Sequence, residues 1–199
     1  MSKNVSWVVK VAMLGALATV LMLVEFPLPF IAPPFYELDF SEVPVLIGAF
    51  ALGPVAGVVI EGIKVLLNLL LNGTMTAGVG ELANFVMGVV FVLPAAIIYK
   101  RNKTKKSAIL GLVVGGVSMV MLGCFINAYV MLPTYAAAFQ MPIDVIIGMA
   151  TKIWSFIDTL FEFVIVCVAP FNLVKVILVS FVTMVIYKPL RRLIEKIEK

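Results

Sequence analysis

The chain contains no histidine. That removes the Ser–His–Asp triad, the Cys–His dyad and every His-ligated metal site. It has only two cysteines, Cys124 and Cys167. Both lie in apolar runs and read as small reduced core residues rather than a disulfide framework. Charged residues are scarce, at 13%, against roughly a quarter in soluble domains. No G-x-x-x-x-G-K-[ST] run occurs, so there is no nucleotide site of that kind. Uphill movement of a solute would need an ion gradient or another subunit.

What is present in quantity is apolar. Hydrophobic residues make up 63% of the 199 positions, and mean hydropathy is +1.16. Too little polar surface exists to cover a water-soluble particle, so a cytosolic enzyme, a secreted scaffold and a disordered chain are excluded. The chain reads as a multi-pass, all-α integral protein of a cell membrane.

The net charge of +4 reflects where charges sit and does not mark a nucleic-acid face. Of 15 basic residues, 12 fall in three clusters. These are Lys3 and Lys10; Lys100, Arg101, Lys103, Lys105 and Lys106; and Lys188, Arg191, Arg192, Lys196 and Lys199. Only Glu195 and Glu198 among the acids share them. The positive-inside rule leaves such a pattern.

About 20 apolar residues span a bilayer core. The sequence predicts one transmembrane domain with helices at about 5–26, 42–52, 54–71, 81–99, 107–132 and 163–187. Ser41 suits an N-cap for the second and Pro54 the first turn of the third. Gly53–Pro54 separates them. Pro133 is expected to stop the fifth, and Pro170 to kink the sixth. Six crossings put both termini and the 100–106 cluster in the cytoplasm. Loops 27–41, 72–80 and 133–162 then face outward. The first loop carries four prolines, which forbid a regular helix there.

A charge at bilayer depth is expensive and marks a functional candidate. Glu25, Glu61, Lys64, Glu81 and Lys175 qualify, with the amides Asn68, Asn84, Asn127 and Asn172. Glu61 and Lys64 share a helix face and read either as a structural ion pair or as functional groups. Glu81 and Asn84 open the fourth helix, where an acid also suits the helix dipole. Asn172 and Lys175 share a face of the last helix, and no acid nearby in sequence neutralises Lys175. A ligand site would supply partners. For the amides, inter-helix hydrogen bonding is the competing reading. Small residues at Ala12/Ala16 (with Gly15), Ala49/Gly53/Gly57 and Gly111/Gly115 allow close helix approach. The Ala12–Ala16 pair reads as internal packing or as a dock for a partner.

The runs FYELDFSEVPVLIGAFALGPVAGVVIEGIKVLLNLL (35–70), VGELANFVMG (79–88), NAYVMLPTY (127–135) and PFNLVKV (170–176) carry a resemblance. Together they resemble the riboflavin-specific S components of energy-coupling factor (ECF) vitamin transporters, over nearly the whole chain. The resemblance implies a six-helix, non-enzymatic subunit that captures riboflavin from outside. It also implies a transmembrane coupling subunit and two ATPase subunits as partners, and no cofactor or metal of its own. Asn127, Asn172 and Lys175 match the family's flavin-bonding positions, and Ala12 and Ala16 its docking positions. Glu37 departs from the pattern, standing where a small polar or uncharged residue is expected.

Isoalloxazine is flat and apolar over most of its area, so burial should supply most of its affinity. Phe35, Tyr36, Phe40, Leu46 and Phe85 are candidate packing partners, with Glu81 and Asn84 as further ligand candidates. Asparagine offers a donor and an acceptor, and lysine offers three donors. The alternative within the same fold is an S component for another vitamin or small apolar solute. An intramembrane enzyme, a ligand-free scaffold and a self-sufficient ion-coupled carrier are the remaining classes.

Overall fold

The computed structural model describes the backbone of residues 3–196 and the side chains of 4–187. The basic cluster from Lys188 onward therefore lies outside the described side chains. Five helical runs are long and apolar enough to cross a membrane. They are α1 (Lys3–Met22), α3 (Pro54–Asn72), α4 (Val79–Arg101), a composite run ending in α6, and a composite run opening at Leu160. The fourth joins α5 (Lys105–Ile126) through a π-helical turn, Asn127–Met131, to α6 (Leu132–Ala138). The fifth joins α8 (Leu160–Phe163) through a second π turn, Val164–Val168, to α9 (Ala169–Lys196). The shorter α2 (Glu42–Leu52) lies buried among them, and α7 (Ile143–Thr151) packs between the two composite runs in sequence.

Several boundaries differ from expectation. The first helix ends at Met22, not near 26. Pro27 biases Phe26 toward extended backbone, and Phe26–Pro27 (β1) pairs antiparallel with Glu37–Leu38 (β2). The first loop thus carries a two-residue ladder. Pro133 does not stop the fifth helix. It sits in the first turn of α6 directly after the π turn, where a missing N–H is tolerated. The last span starts at Leu160, three residues early, because Thr159 and Glu162 form a reciprocal capping box. Ser41 precedes α2 but makes no side-chain cap; its backbone N–H instead donates to Asp39 Oδ1 at 2.7 Å.

Two cores result. The larger joins α1, α2, α3, α4, α5 and α9 through residues such as Leu14, Phe50, Ile60, Phe91 and Val179. The other packs the first loop (Ala32, Tyr36, Leu38) on α7 and the last span (Ile146, Phe163, Val168). Glycines set the closest approach. A Cβ on Gly115 would collide with the Phe91 carbonyl, and one on Gly111 would lie 2.6 Å from the Ala95 carbonyl. Backbone therefore touches backbone between α4 and α5. On α1, Gly15 abuts Ile63 of α3, whereas Ala12 and Ala16 face outward.

Gly115→Ala must separate α4 from α5, since backbone cannot yield as a side chain tip does. We expect a loss of about 1–3 kcal/mol, read as a lower thermal midpoint in detergent. Gly148→Ala, inside α7 with nothing within 4 Å of its Cβ, is the matched control and should not lower the midpoint.

Candidate functional site

A cavity of about 160 Å³ opens beneath the first loop. Phe35, Tyr36 and Glu37 roof it. One wall is the α4 face Gly80, Ala83, Asn84, Met87 and Gly88. Opposite stand Phe171, Asn172 and Lys175 of α9. Asn127, Met131 and Tyr135 form a third side, and Met119 and Glu42 complete the lining.

Local helix geometry explains this convergence. Residues 127, 131 and 135 are four apart, a spacing that drifts by about 40° per step in a regular helix. The π turn over Asn127–Met131 widens the repeat and helps hold all three toward the cavity. On α9, Asn172 and Lys175 share a face at the regular three-residue spacing. Gly123 leaves room for Asn172, whose Nδ2 would lie 3.0 Å from a Cβ placed there.

Each asparagine donates one N–H to its own helix. Asn127 Nδ2 donates to the Gly123 carbonyl at 2.8 Å, and Asn172 Nδ2 to the Val168 carbonyl at 3.0 Å. Asn127 Oδ1 accepts from the Tyr36 hydroxyl at 2.7 Å. Tyr36 also lies against Phe171, with ring centroids 5.5 Å apart, and Phe35 against Tyr135 at the same separation. The roof is thus aromatic and tied to the α5–α6 span by one buried hydrogen bond.

Lys175 does have a protein partner. Its Nζ lies 2.8 Å from Asp39 Oδ2, across 136 positions of sequence. Burial pushes the Asp39 carboxyl upward, but Lys175 and then Lys64 more than offset this and hold it well below the usual range. Deeper, Lys64 lies 2.7 Å from both Glu42 Oε1 and Glu61 Oε1, and only the Glu42 contact has hydrogen-bond geometry. All three side chains are at most 2% exposed. Of the two readings of Glu61 and Lys64, the packing favours the structural one, with Glu42 as an unforeseen third member.

Of the ten ligand candidates from sequence, six line the cavity: Asn127, Asn172, Lys175, Phe35, Tyr36 and Asn84. Four do not. Phe40 is wedged between the two cores, and Leu46 is fully buried in the larger one. Phe85 turns toward Gly62 of α3, since neighbouring helical residues point about 100° apart. Glu81 accepts from the Thr74 hydroxyl at 3.0 Å, outside the lining. Glu42, Tyr135, Phe171 and the methionines were missed. Methionine at helical spacing carries no ligand signal, and Glu42 reads as a first-turn acid.

At the mouth, Glu25 faces a second carboxyl. Partial desolvation, then Glu37 and Asp39, push its carboxyl up to about 7, with Lys175 opposing. A raised value means that the folded state favours the protonated form. Stability is then present at low pH and lost as pH rises from about 4.5 through about 7. We expect the thermal midpoint to fall across that window, and Glu25→Gln to flatten the profile.

The family model described as "ECF transporter, substrate-specific component" matches residues 7–187. The riboflavin transporter RibU of Staphylococcus aureus (strain TCH60) is 35% identical over 189 residues, covering 95% of this chain and 92% of that protein. The riboflavin transporter FmnP of Bacillus subtilis (strain 168) is 32% identical over 195 residues, covering 97% and 96%. A solved structure described as "Structure and mechanism of the S component of a bacterial ECF transporter" superposes with a TM-score of 0.74 at 35% identity. It covers 96% of this chain and 98% of that one. These relatives are transporters and not enzymes. With its apolar helical runs and a match over most of its length, the chain is a multi-pass membrane protein that belongs to the substrate-specific components of ECF transporters.

Proposed function

We propose that this chain is the membrane subunit that captures riboflavin from outside the cell and presents it to an ATP-driven ECF module. The observation carrying this reading is the cavity itself: Asn127, Asn172 and Lys175 converge there under an aromatic roof. The names of the two relatives as riboflavin transporters support the ligand.

The chemistry is suited to a flat heteroaromatic cargo. Phe35, Tyr36, Phe171 and Tyr135 offer apolar faces for the ring, whose burial supplies most of the affinity. Lys175 gives one N–H to Asp39 and keeps two donors for ring carbonyls. Asn172 gives one amide N–H to Val168, and its Oδ1 is available as an acceptor. The loop over the cavity is pre-ordered by its prolines and its ladder, which lowers the entropy cost of closing over a ligand.

In this reading the chain is a single transmembrane domain of six helices, with α2 as the short sixth and both termini cytoplasmic. The clustering of basic residues supports that orientation. Its partners are a transmembrane coupling subunit and two ATPases. Ala12 and Ala16, exposed on the outer face of α1, are the proposed dock. The chain needs no cofactor; riboflavin is cargo.

The test is a titration of riboflavin into the purified chain in detergent, following quenching of flavin fluorescence. We expect saturable one-to-one quenching, weakened by about tenfold or more in Lys175→Ala. No quenching from a folded sample overturns the riboflavin assignment. In liposomes we expect no accumulation by the chain alone, and accumulation once an ECF module and ATP are supplied. Uptake driven by an ion gradient without the module would overturn the division of labour.

A further inference from the structure

We propose that Glu42 is a specificity-determining ligand contact, accepting the imide N–H of the flavin ring through its Oε2. This rests on the riboflavin reading above and adds to it a residue that neither the sequence motifs nor the amide positions single out.

Glu42 is 2% exposed and lines the cavity. Its Oε1 accepts from Lys64 at 2.7 Å. Its Oε2 is buried with no hydrogen-bond partner. A carboxylate oxygen left unpaired in a buried site carries a desolvation cost that a ligand donor would remove. The flavin ring has one N–H, at N3, flanked by two carbonyls. Its polar edge therefore reads acceptor, donor, acceptor. The cavity offers the complement: the spare donors of Lys175 for a carbonyl, and the free oxygen of Glu42 for the N–H. Lys175 and Glu42 line one cavity, so the imide edge of the ring is set against these two residues. Lys64 fixes the Glu42 carboxylate before the ligand arrives, so little reorganisation is needed.

Glu61 provides the matched control. It belongs to the same ion cluster but lies outside the cavity lining, packed against Gly88. Glu42→Gln leaves the Lys64–Glu61 pair neutral, and Glu61→Gln leaves the Lys64–Glu42 pair neutral. The two substitutions therefore each remove one carboxyl from the cluster and differ in whether the cavity loses it.

The experiment compares binding of riboflavin and 3-methylriboflavin, which lacks the N3 donor, to the full chain in detergent. The wild type should favour riboflavin by about 10- to 100-fold, the range for a hydrogen bond to a charged acceptor. Glu42→Gln should compress that ratio to a few-fold, and Glu61→Gln should keep it. If Glu42→Gln does not fold, Glu42→Asp, which retracts the carboxylate by one methylene, should compress it in the same way. Equal affinity of the wild type for the two flavins overturns the proposal. So does an unchanged ratio in the Glu42 variants, or an equal collapse in Glu61→Gln. Failure of the wild type to bind either flavin instead overturns the riboflavin reading itself.

Discussion

The carboxylate of Asp39 holds the site together. One oxygen accepts from the backbone N–H of Ser41 at the start of α2. The other accepts from Lys175 of α9. A single side chain therefore fixes where α2 begins, where the first loop ends and which way Lys175 points. The next acid, Glu42, then falls beside Lys64, and Lys64 beside Glu61. Five charged side chains thus form two linked clusters within an otherwise apolar bundle. Removing one partner from such a cluster is far more damaging than the net worth of the pair, because the survivor stays buried and uncompensated.

The cost of burying charge is also what made the site readable. Asn172 and Lys175 stood out because a bilayer tolerates such groups only with partners, and both line the cavity. The partner of Lys175 was not readable, because it lies 136 positions away and no local spacing encodes that pairing. The π turns were equally hidden. They arise within runs such as NAYVM and VIVCV, whose composition is that of any apolar helix, yet one of them brings Asn127, Met131 and Tyr135 into line.

The misplaced candidates have a shared physical cause. Phe40, Leu46 and Phe85 are large apolar residues close in sequence to true lining residues. On a helix, a shift of one position is a turn of about 100°, so adjacency to Asn84 sends Phe85 elsewhere. Apolar character alone cannot tell a ligand wall from a core in a protein that is apolar throughout. The spans were legible because twenty apolar residues have few other uses; their ends were less so. Thr159–Glu162 was an overlooked cap, and Pro133 was overweighted as a stop, since a proline that follows a π turn occupies a fresh first turn.

The roof loop has two tethers on different parts of the bundle. Tyr36 is bonded to Asn127 at the π turn of the α5–α6 span, and Asp39 to Lys175 in the last span. Only Glu37 and Leu38 lie between the two anchors, too short a length to slacken. The loop therefore acts as a strut that registers the spacing of those two spans. Widening the gap between them strains or breaks a tether, and breaking a tether frees the gap to widen. Access to the cavity and the separation of the helices around it are in consequence one mechanical coordinate, not two.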